Sequence, residues 1–177
     1  MPNSSVKPMV RHTTLTEVPI LGVVHVAASR RGLIAVAYGI SVEQFLMQLV
    51  AECQHVALSS TDVLADASGQ LYEYLSGVRT HFSLPLDLSR LTDFQRVVLQ
   101  AVASVPYGET RSYGEVAAQI GRPYAARAVG GANARNRLPM VIPCHRIIAA
   151  DGSLGGFSGP GGLHTKRRLL DLEGALC

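Results

Sequence analysis

The spacing of hydrophobic residues changes along the chain and predicts two domains. Two runs rich in Val, Ile and Leu, at 18–28 and 33–38, flank Arg30-Arg31-Gly32, and β-branched runs around a short turn predict a β-hairpin. Apolar residues then recur at helical spacing over 42–53 and 61–77, which predicts two helices. This order of elements indicates a small α+β domain at the N-terminal end.

The first domain is expected to end at residue 88. Residues 82–88 alternate around Pro85, which favours an edge strand or an extended linker, because proline cannot donate a hydrogen bond within a sheet. Residues 1–9 are expected to form a loose tail. The two domains are therefore predicted at 1–88 and 89–177.

The second domain is predicted to be mostly helical. Pairs typical of a helix start, Ser or Thr followed three residues later by Gln or Glu, begin at Thr92 and at Ser112. The second of these helices is expected to end at Gly121, since glycine suits a helix C-terminus. Further helices are predicted over 124–135 and 163–173. Two short helices joined by a glycine-containing turn indicate a helix-turn-helix.

Composition and charge narrow the class of protein. Hydrophobic residues make up 47% of the chain and charged residues 16%, as in globular proteins with a core. No uncharged apolar run approaches the roughly 18 residues of a membrane span, and residues 1–5 lack a signal-peptide core. We therefore expect a cytoplasmic protein with no membrane partner. Residues 91–177 hold ten Lys or Arg and six Asp or Glu, and this net charge of +4 favours a polyanionic partner.

Three cysteines, Cys53, Cys144 and Cys177, leave an odd thiol and predict no disulfide framework. Free thiols suit a reducing compartment. Cys53 lies two residues from His55, but no CxxC or HxxxH spacing completes a metal site there. The sequence therefore predicts no metal.

Cys144 and His145 form the candidate reactive centre. A lone free cysteine is most often a buried structural residue, whereas a nucleophilic cysteine needs a base to take its proton. Neighbouring side chains of extended backbone point to opposite faces, so this pair requires a turn or a bridging water. A third group should orient the histidine. Glu173 is the available downstream carboxylate, with a surface charge as its alternative role.

Cysteine hydrolases also use a Cys/His pair and are the main rival enzyme class. No Gly-x-Cys-x-Gly elbow surrounds Cys144, and a hydrolase would leave the helix-turn-helix unused. The glycine-rich loop at 155–162 lacks the Gly-Lys-Ser/Thr ending of a phosphate-binding loop. The sequence therefore favours chemistry on a nucleic acid.

The helix predicted at 124–135 contains Gly130-Gly131, which costs it about 2 kcal/mol relative to alanine. Glycine permits close approach of another backbone, and the neighbour is either a second protein helix or a narrow groove of DNA. Arg127 stands among alanines, where a long side chain could replace a base in the stack. Its alternative role is a solvated surface charge.

Taken together, these residues resemble the O6-alkylguanine-DNA alkyltransferases, also called methylated-DNA–protein-cysteine methyltransferases. The first half resembles the family only in type, and the family implies an N-terminal ribonuclease-H-like α/β domain before a mostly helical C-terminal domain with a helix-turn-helix. The similarity covers about residues 90–177. It includes Pro-Tyr-Gly-Glu-Thr at 106–110, Ser-Tyr-Gly-Glu-Val-Ala at 112–117, Ala-Arg-Ala-Val-Gly-Gly-Ala at 126–132, Asn136 and Ile-Pro-Cys-His-Arg at 142–146.

The resemblance implies a catalytic role for five residues. Cys144 accepts the alkyl group from guanine O6, His145 acts as a base through a water, and Glu173 orients His145. Asn136 is the hinge that follows the recognition helix, and it bonds near the cysteine. Tyr113 assists rotation of the nucleotide and donates a proton toward guanine N3.

The resemblance also implies a partner, double-stranded DNA that contains O6-alkylguanine and is bound through its minor groove. Arg127 would enter the duplex in place of the base, which must leave the stack before its O6 substituent can be reached. Phe157 stands where family members often carry tyrosine. The implied DNA-binding residues are Arg127, Ala126, Ala128, Gly130, Gly131 and Arg135, and the implied pocket residues are Tyr113, Ile147, Phe157 and Ser158.

We therefore predict a DNA repair protein that flips the alkylated guanine and transfers the alkyl group irreversibly to Cys144. No cofactor is expected, because the cysteine is both nucleophile and final acceptor, and the protein is expected to act as a monomer. The rival interpretation is a non-catalytic helix-turn-helix protein that binds DNA damage or regulates transcription, in which Cys144 is incidental.

Overall fold

The computed structural model describes residues 9–51, 55–58 and 62–175. It has an N-terminal sheet domain and a C-terminal helical domain, as the sequence predicts. In chain order the elements are β1 (Met9–Val18), β2 (Gly22–Ser29), β3 (Gly32–Tyr38), α1 (Val42–Val50), β4 (His55–Leu58), α2 (Asp62–Leu75), α3 (Asp93–Ala103), β5 (Arg111–Ser112), α4 (Tyr113–Gln119), α5 (Ala126–Asn133), a 3₁₀ turn (Cys144–Arg146), β6 (Ile147–Ile148) and α6 (Gly162–Leu172).

The N-terminal domain is a four-stranded sheet in the order β3-β2-β1-β4. Strands β1, β2 and β3 form antiparallel pairs in chain order, and β4 pairs with β1 in parallel. Alternation along β2 separates the two faces, because Val26 belongs to the core that α2 covers, whereas Ala27 packs with Phe45 and Leu49 of α1. Helices therefore cover both faces of the sheet.

The predicted hairpin is confirmed as β2 and β3, which pair in antiparallel register. Its predicted start at Val18 is wrong, because Val18 ends β1 and a turn at 19–21 separates the strands, with Ile20 at φ 69°. The hydrophobic pattern did not predict β1, which includes residue 9 of the expected tail, or β4. Residues 1–8, Cys53 and Cys177 lie outside the described residues.

The linker predicted at 82–88 is extended and contacts the sheet where β2 ends and β3 begins. Leu33 forms an isolated parallel bridge with Leu86, and its N–H donates to the carbonyl of Pro85 at 2.8 Å. Gly32 permits this contact, since its φ is 141° and a Cβ there would lie 2.3 Å from the Pro85 oxygen. The chain therefore leaves the first domain alongside β3.

The helix-turn-helix is confirmed as α4 and α5. Ser112 caps α4 through a capping box with Glu115, and Gly121, at φ 71°, turns the chain out of the helix. Helix α5 begins at Ala126 and not at 124, because the chain at 122–125 forms a turn. Within the described ranges, no helix is long and apolar enough to cross a membrane.

A single hydrophobic core connects the two domains. Leu71 and Tyr74 of α2 belong to the same buried cluster as Val102 of α3, Val129 of α5 and Leu169 of α6. Residues far apart in sequence therefore meet in this core.

Candidate active site

Cys144 lies in a tight turn and not in the extended backbone that would point its side chain and that of His145 to opposite faces. Pro143 has φ −80° and ψ 65°, and the Cys144 N–H donates to the carbonyl of Ile142 at 2.8 Å. This is the geometry of an inverse γ-turn, and the proline ring favours it by fixing φ. The 3₁₀ turn follows directly. The sequence had left a turn or a bridging water as the alternatives; the chain turns here, but no hydrogen bond joins the Cys144 and His145 side chains among the described residues.

A cavity of about 540 Å³ reaches Cys144 from the side of the helix-turn-helix. Its volume lies within the usual range of small-molecule sites. Cys144 is only 7% exposed, so the thiol lies at the inner end of this cavity. The lining residues are Tyr113, Ala126, Arg127, Gly130, Asn133, Ala134, Cys144, Gly156, Phe157 and Ser158.

Three of the four predicted pocket residues line this cavity, and Ile147 does not. The side chain of Ile147 is fully buried and belongs to the hydrophobic core. Tyr113 donates its hydroxyl to the carbonyl of Gly156 at 3.4 Å, and Ser158 donates to the carbonyl of Ala134 at 3.0 Å.

A second cavity, of about 310 Å³, reaches Cys144 from the N-terminal domain. Tyr38 at the end of β3 and Asn136 line it, and Phe157 and Ser158 separate it from the first cavity because they border both. Cys144 therefore borders both cavities.

Glu173 is a buried carboxylate, and the alternative role of a surface charge is wrong. It caps the C-terminus of α6, and its side chain is fully buried. Arg146 donates to it twice, from Nε at 2.8 Å and from Nη2 at 2.9 Å, and Tyr74 donates its hydroxyl to Oε1. Burial alone would raise the pKa of Glu173, but these hydrogen bonds and that from His145 lower it to about 2. The group is therefore ionised at neutral pH.

His145 is fully buried beside this carboxylate. Its Nε2 lies 2.8 Å from Oε1 of Glu173, and its Nδ1 has no hydrogen-bond partner in the part of the chain that the structure describes. Burial lowers the pKa of His145, and Glu173 opposes this shift only in part. The ring is therefore neutral at pH 7, donates from Nε2 and keeps the basic lone pair on Nδ1.

The thiol of Cys144 is protonated at rest. Burial raises its pKa, against the opposing effects of a hydrogen bond from Asn136 and the positive charge of Lys166. Asn136 also donates from Nδ2 to the carbonyl of Ile142 at 2.8 Å, so it closes the loop that precedes the cysteine. A nucleophilic Cys144 requires a base, because the thiolate and not the thiol attacks.

The sequence had not indicated Asn133 or Lys166. Asn133, at the end of α5, donates from Nδ2 to the Cys144 carbonyl at 3.2 Å and so ties the helix to the turn. Lys166 of α6 is fully buried. Its ammonium donates to the carbonyls of Ile147 and Leu154, each at 2.5 Å, and of Gly156 at 3.3 Å. Burial lowers the pKa of Lys166 to about 8.

Helix α5 presents small residues on its outer surface. A Cβ added at Gly130 would lie 3.7 Å from the ring of Tyr113, and one at Gly131 would lie 3.6 Å from Nη1 of Arg135. Both are ordinary van der Waals distances, so packing within the described chain requires neither glycine. The alternative of a neighbouring protein helix is therefore not supported, and the glycines suit approach by another molecule.

The other predicted DNA-binding residues lie on or just after the same helix. Arg127 is exposed and lines the first cavity, half-buried Ala126 lies beside it, and Ala128 is exposed. Exposed Arg135 donates from Nη1 to the carbonyl of Gly131 at 3.1 Å. The helix therefore joins a cationic, small-residue surface to the mouth of the cavity.

Metal ligation has no candidate among the described residues, since no group of three or more His, Cys, Asp or Glu side chains converges there. Cys53 lies outside them. The described cysteine, Cys144, is a free thiol.

Comparison with known proteins gives the family. A model described as 6-O-methylguanine DNA methyltransferase, ribonuclease-like domain, matches residues 11–88, and one described as 6-O-methylguanine DNA methyltransferase, DNA binding domain, matches 93–175. The methylated-DNA–protein-cysteine methyltransferase of Mycobacterium leprae is 51% identical over 116 residues, which cover 66% of this chain and 68% of that protein. The constitutive enzyme of Bacillus subtilis is 47% identical over 68% of this chain and 72% of its own length.

Solved structures agree. A crystal structure of Mycobacterium tuberculosis OGT in complex with DNA superposes with a TM-score of 0.76 at 39% identity and covers 94% of this chain and 93% of its own. The family models together match most of both domains. This chain belongs to the 6-O-methylguanine DNA methyltransferase family.

Proposed function

We propose that this protein repairs DNA by transferring the alkyl group of O6-alkylguanine to the sulfur of Cys144. One observation carries the proposal. Cys144 lies at the inner end of a cavity that Arg127 lines on the side of the helix-turn-helix, and a buried His145–Glu173 pair lies behind it. The relatives' names and the complex of one of them with DNA agree with this assignment.

The reaction begins with removal of the thiol proton. A bridging water carries it to Nδ1 of His145, and the ionised Glu173 stabilises the resulting imidazolium. The sulfur then attacks the alkyl carbon, so that the S–C bond forms as the C–O6 bond breaks and the electron pair passes to the guanine. The thiol loses one proton and the guanine gains one, so the overall reaction is balanced.

Tyr113 supplies that proton at guanine N3. Burial raises the pKa of Tyr113, and a nearby Cys144 charge raises it further, so the phenol is protonated before reaction. It lines the cavity with its hydroxyl toward the loop at Gly156. His145 or solvent returns the proton to the tyrosinate after the guanine has left.

The base must leave the duplex before this chemistry begins, because the O6 substituent is inaccessible inside the stack. We propose that α5 enters the minor groove, where Gly130, Gly131 and the neighbouring alanines permit close approach. Arg127 takes the place of the extruded base. Side chains inserted between bases offset part of the unstacking cost of a few kcal/mol.

The transfer is irreversible and occurs once per molecule, because a thioether is a poor leaving group and no described residue removes it. One chain holds every group of the mechanism, so a monomer is sufficient and no cofactor is needed. A free nucleophilic thiol also suits a reducing compartment such as the cytoplasm.

The alternative is a protein that binds alkylated DNA without reacting. Titration of a duplex containing O6-methylguanine separates the two, since repair restores at most one guanine per protein molecule and then stops. Cys144→Ser should bind the duplex and restore none, because a hydroxyl is a far weaker nucleophile than a thiolate. Binding by the wild-type protein without any restored guanine would establish the alternative.

A further inference from the structure

The hydroxyl of a tyrosine from the N-terminal domain reaches the buried His–Glu pair of the C-terminal domain. Tyr74 lies on α2, and its side chain is fully buried. Its hydroxyl donates to Oε1 of Glu173, 99 residues away, and lies 3.2 Å from Nε2 of His145, 71 residues away. Through this hydroxyl the first domain makes polar contact with both members of the pair.

Aromatic neighbours hold the Tyr74 ring in place. Tyr107 packs edge-on at 6.2 Å between ring centroids, and Phe82 packs at 5.1 Å with a tilt of 45°. Such a site restricts both side-chain torsions, so the hydroxyl has a fixed direction. Burial, reinforced by the Glu173 charge, raises the pKa of Tyr74 well above its usual value. The phenol therefore stays protonated.

The direction in which the Tyr74 hydroxyl donates its proton bears on the tautomer of His145. The Tyr74 proton is engaged by Glu173, so the phenol oxygen can only accept from the imidazole. Nε2 of His145 thus faces two oxygens, that of Tyr74 and Oε1 of Glu173, and both favour a proton on Nε2. The second ring nitrogen, Nδ1, then carries the lone pair that a base requires.

We propose that Tyr74 is a positioning residue of the alkyl-transfer site, through which the N-terminal domain fixes Glu173 and the Nε2–H tautomer of His145. This inference rests on the proposed function, because the tautomer matters only if His145 is the base. It gives the N-terminal domain a direct part in the reaction in addition to its contribution to the core.

Removal of the hydroxyl has a consequence that depends on pH. In Tyr74→Phe, Glu173 loses one donor, so its negative charge is less compensated and stabilises the imidazolium of His145 more strongly. The pKa of His145 rises, and less neutral base is present in mildly acidic solution. We therefore expect the acidic limb of the pH–rate profile to move to higher pH, because a less compensated negative charge favours the protonated form of its neighbour.

The experiment measures single-turnover methyl transfer from an O6-methylguanine duplex as a function of pH. Tyr74→Phe should be roughly three- to tenfold slower than wild type at pH 7, the rate equivalent of one lost hydrogen bond. Its Kd for the duplex should be unchanged. The matched control is Tyr107→Phe, which removes a neighbouring hydroxyl that donates to the Leu172 carbonyl at 3.0 Å. It should keep both the rate and the pH limb of wild type.

Each outcome has one meaning. A slower Tyr74→Phe variant with a shifted acidic limb supports the positioning role. A wild-type rate, or a slower rate with an unmoved limb, overturns it, the second result because a loosened core would slow transfer equally at all pH values. A wild-type protein that transfers no methyl group would instead remove the proposed function itself.

Discussion

Replacement of Glu173 by glutamine tests the buried charge at the centre of the site. Glutamine keeps the shape of the side chain and removes its charge. The carboxylate accepts from His145, Tyr74 and twice from Arg146, whereas a carboxamide has one acceptor oxygen and would turn its NH2 group toward a donor. Arg146, itself buried, would lose its counter-ion. We therefore expect Glu173→Gln to destabilise the protein strongly.

The magnitude follows from the pKa of Glu173. It falls from an ordinary 4.5 to about 2 in the folded protein, which corresponds to about 3 kcal/mol of stability at neutral pH. Removal of one partner from a buried ion pair costs about 3–5 kcal/mol in other proteins. Both arguments give a loss of about 3 kcal/mol or more at pH 7.

The sign of the pH dependence follows from the same shift. A carboxyl group whose folded pKa is depressed contributes stability that is full above its unfolded pKa and is lost as pH falls through its folded pKa. This contribution should be complete above pH 4.5 and should decline toward pH 2. The glutamine cannot titrate, so the difference between wild type and Glu173→Gln should be smaller at pH 3 than at pH 7.

Urea unfolding at pH 7 and pH 3 measures both quantities. Glu73→Gln is the matched control, since Glu73 also pairs with an arginine, Arg79, at 2.8 Å but its side chain is 47% exposed. An exposed pair contributes about 0–1 kcal/mol, and this control should behave accordingly. A Glu173→Gln variant within 1 kcal/mol of wild type, or a difference that does not change with pH, would refute the reasoning.

Three further substitutions test separate parts of the mechanism. Arg127→Ala should slow repair of duplex DNA much more than reaction with the free base O6-benzylguanine, because only the duplex requires base extrusion; equal losses would exclude its insertion into the stack. Tyr113→Phe should lower the single-turnover rate and leave the unfolding midpoint almost unchanged, and an unchanged rate would exclude proton donation. Lys166→Met removes a positive charge that stabilises the Cys144 thiolate, so alkylation of the thiol by iodoacetamide should require higher pH; an unmoved pH profile would contradict that effect.

Local signals in the sequence predicted the parts of the fold that depend on neighbouring residues. The capping boxes that begin at Thr92 and Ser112 each start a helix, because both of their hydrogen bonds form within four residues. Gly121 and Gly174 have positive φ at helix ends for the same local reason. The helix-turn-helix could therefore be predicted without tertiary information.

Strand β1 could not be predicted from local pattern. Its residues include Arg11, His12, Thr13 and Thr14, whose polarity suggests a surface segment. In the structure β1 lies between β2 and β4, and His25 of β2 uses its Nδ1 to bond the hydroxyl of Thr14 at 2.9 Å. The Thr14 hydroxyl is therefore satisfied by a residue of the neighbouring strand, which the local sequence cannot show.

The buried polar groups near Cys144 were also beyond local prediction. Tyr74 meets Glu173 only because α2 and α6 pack against one core. Lys166 stands in a run of basic residues that suggests an exposed helix face. In the structure its ammonium is buried and donates to the carbonyls of Ile147 and Leu154, which lie 19 and 12 residues away in sequence. The family resemblance indicated a role for Glu173, and its tertiary contacts explain why the buried carboxylate stays ionised.

The location of the transferred methyl group tests the proposed mechanism most directly. The protein is mixed with a duplex containing O6-methylguanine, digested, and sequenced by tandem mass spectrometry, with Cys144→Ser treated in parallel. We predict one added methyl group on the peptide that contains Cys144, in an amount equal to the guanine restored, and none in the variant. Restored guanine with no methyl on Cys144, or a methylated Cys144→Ser protein, would contradict the assignment of this cysteine as the acceptor.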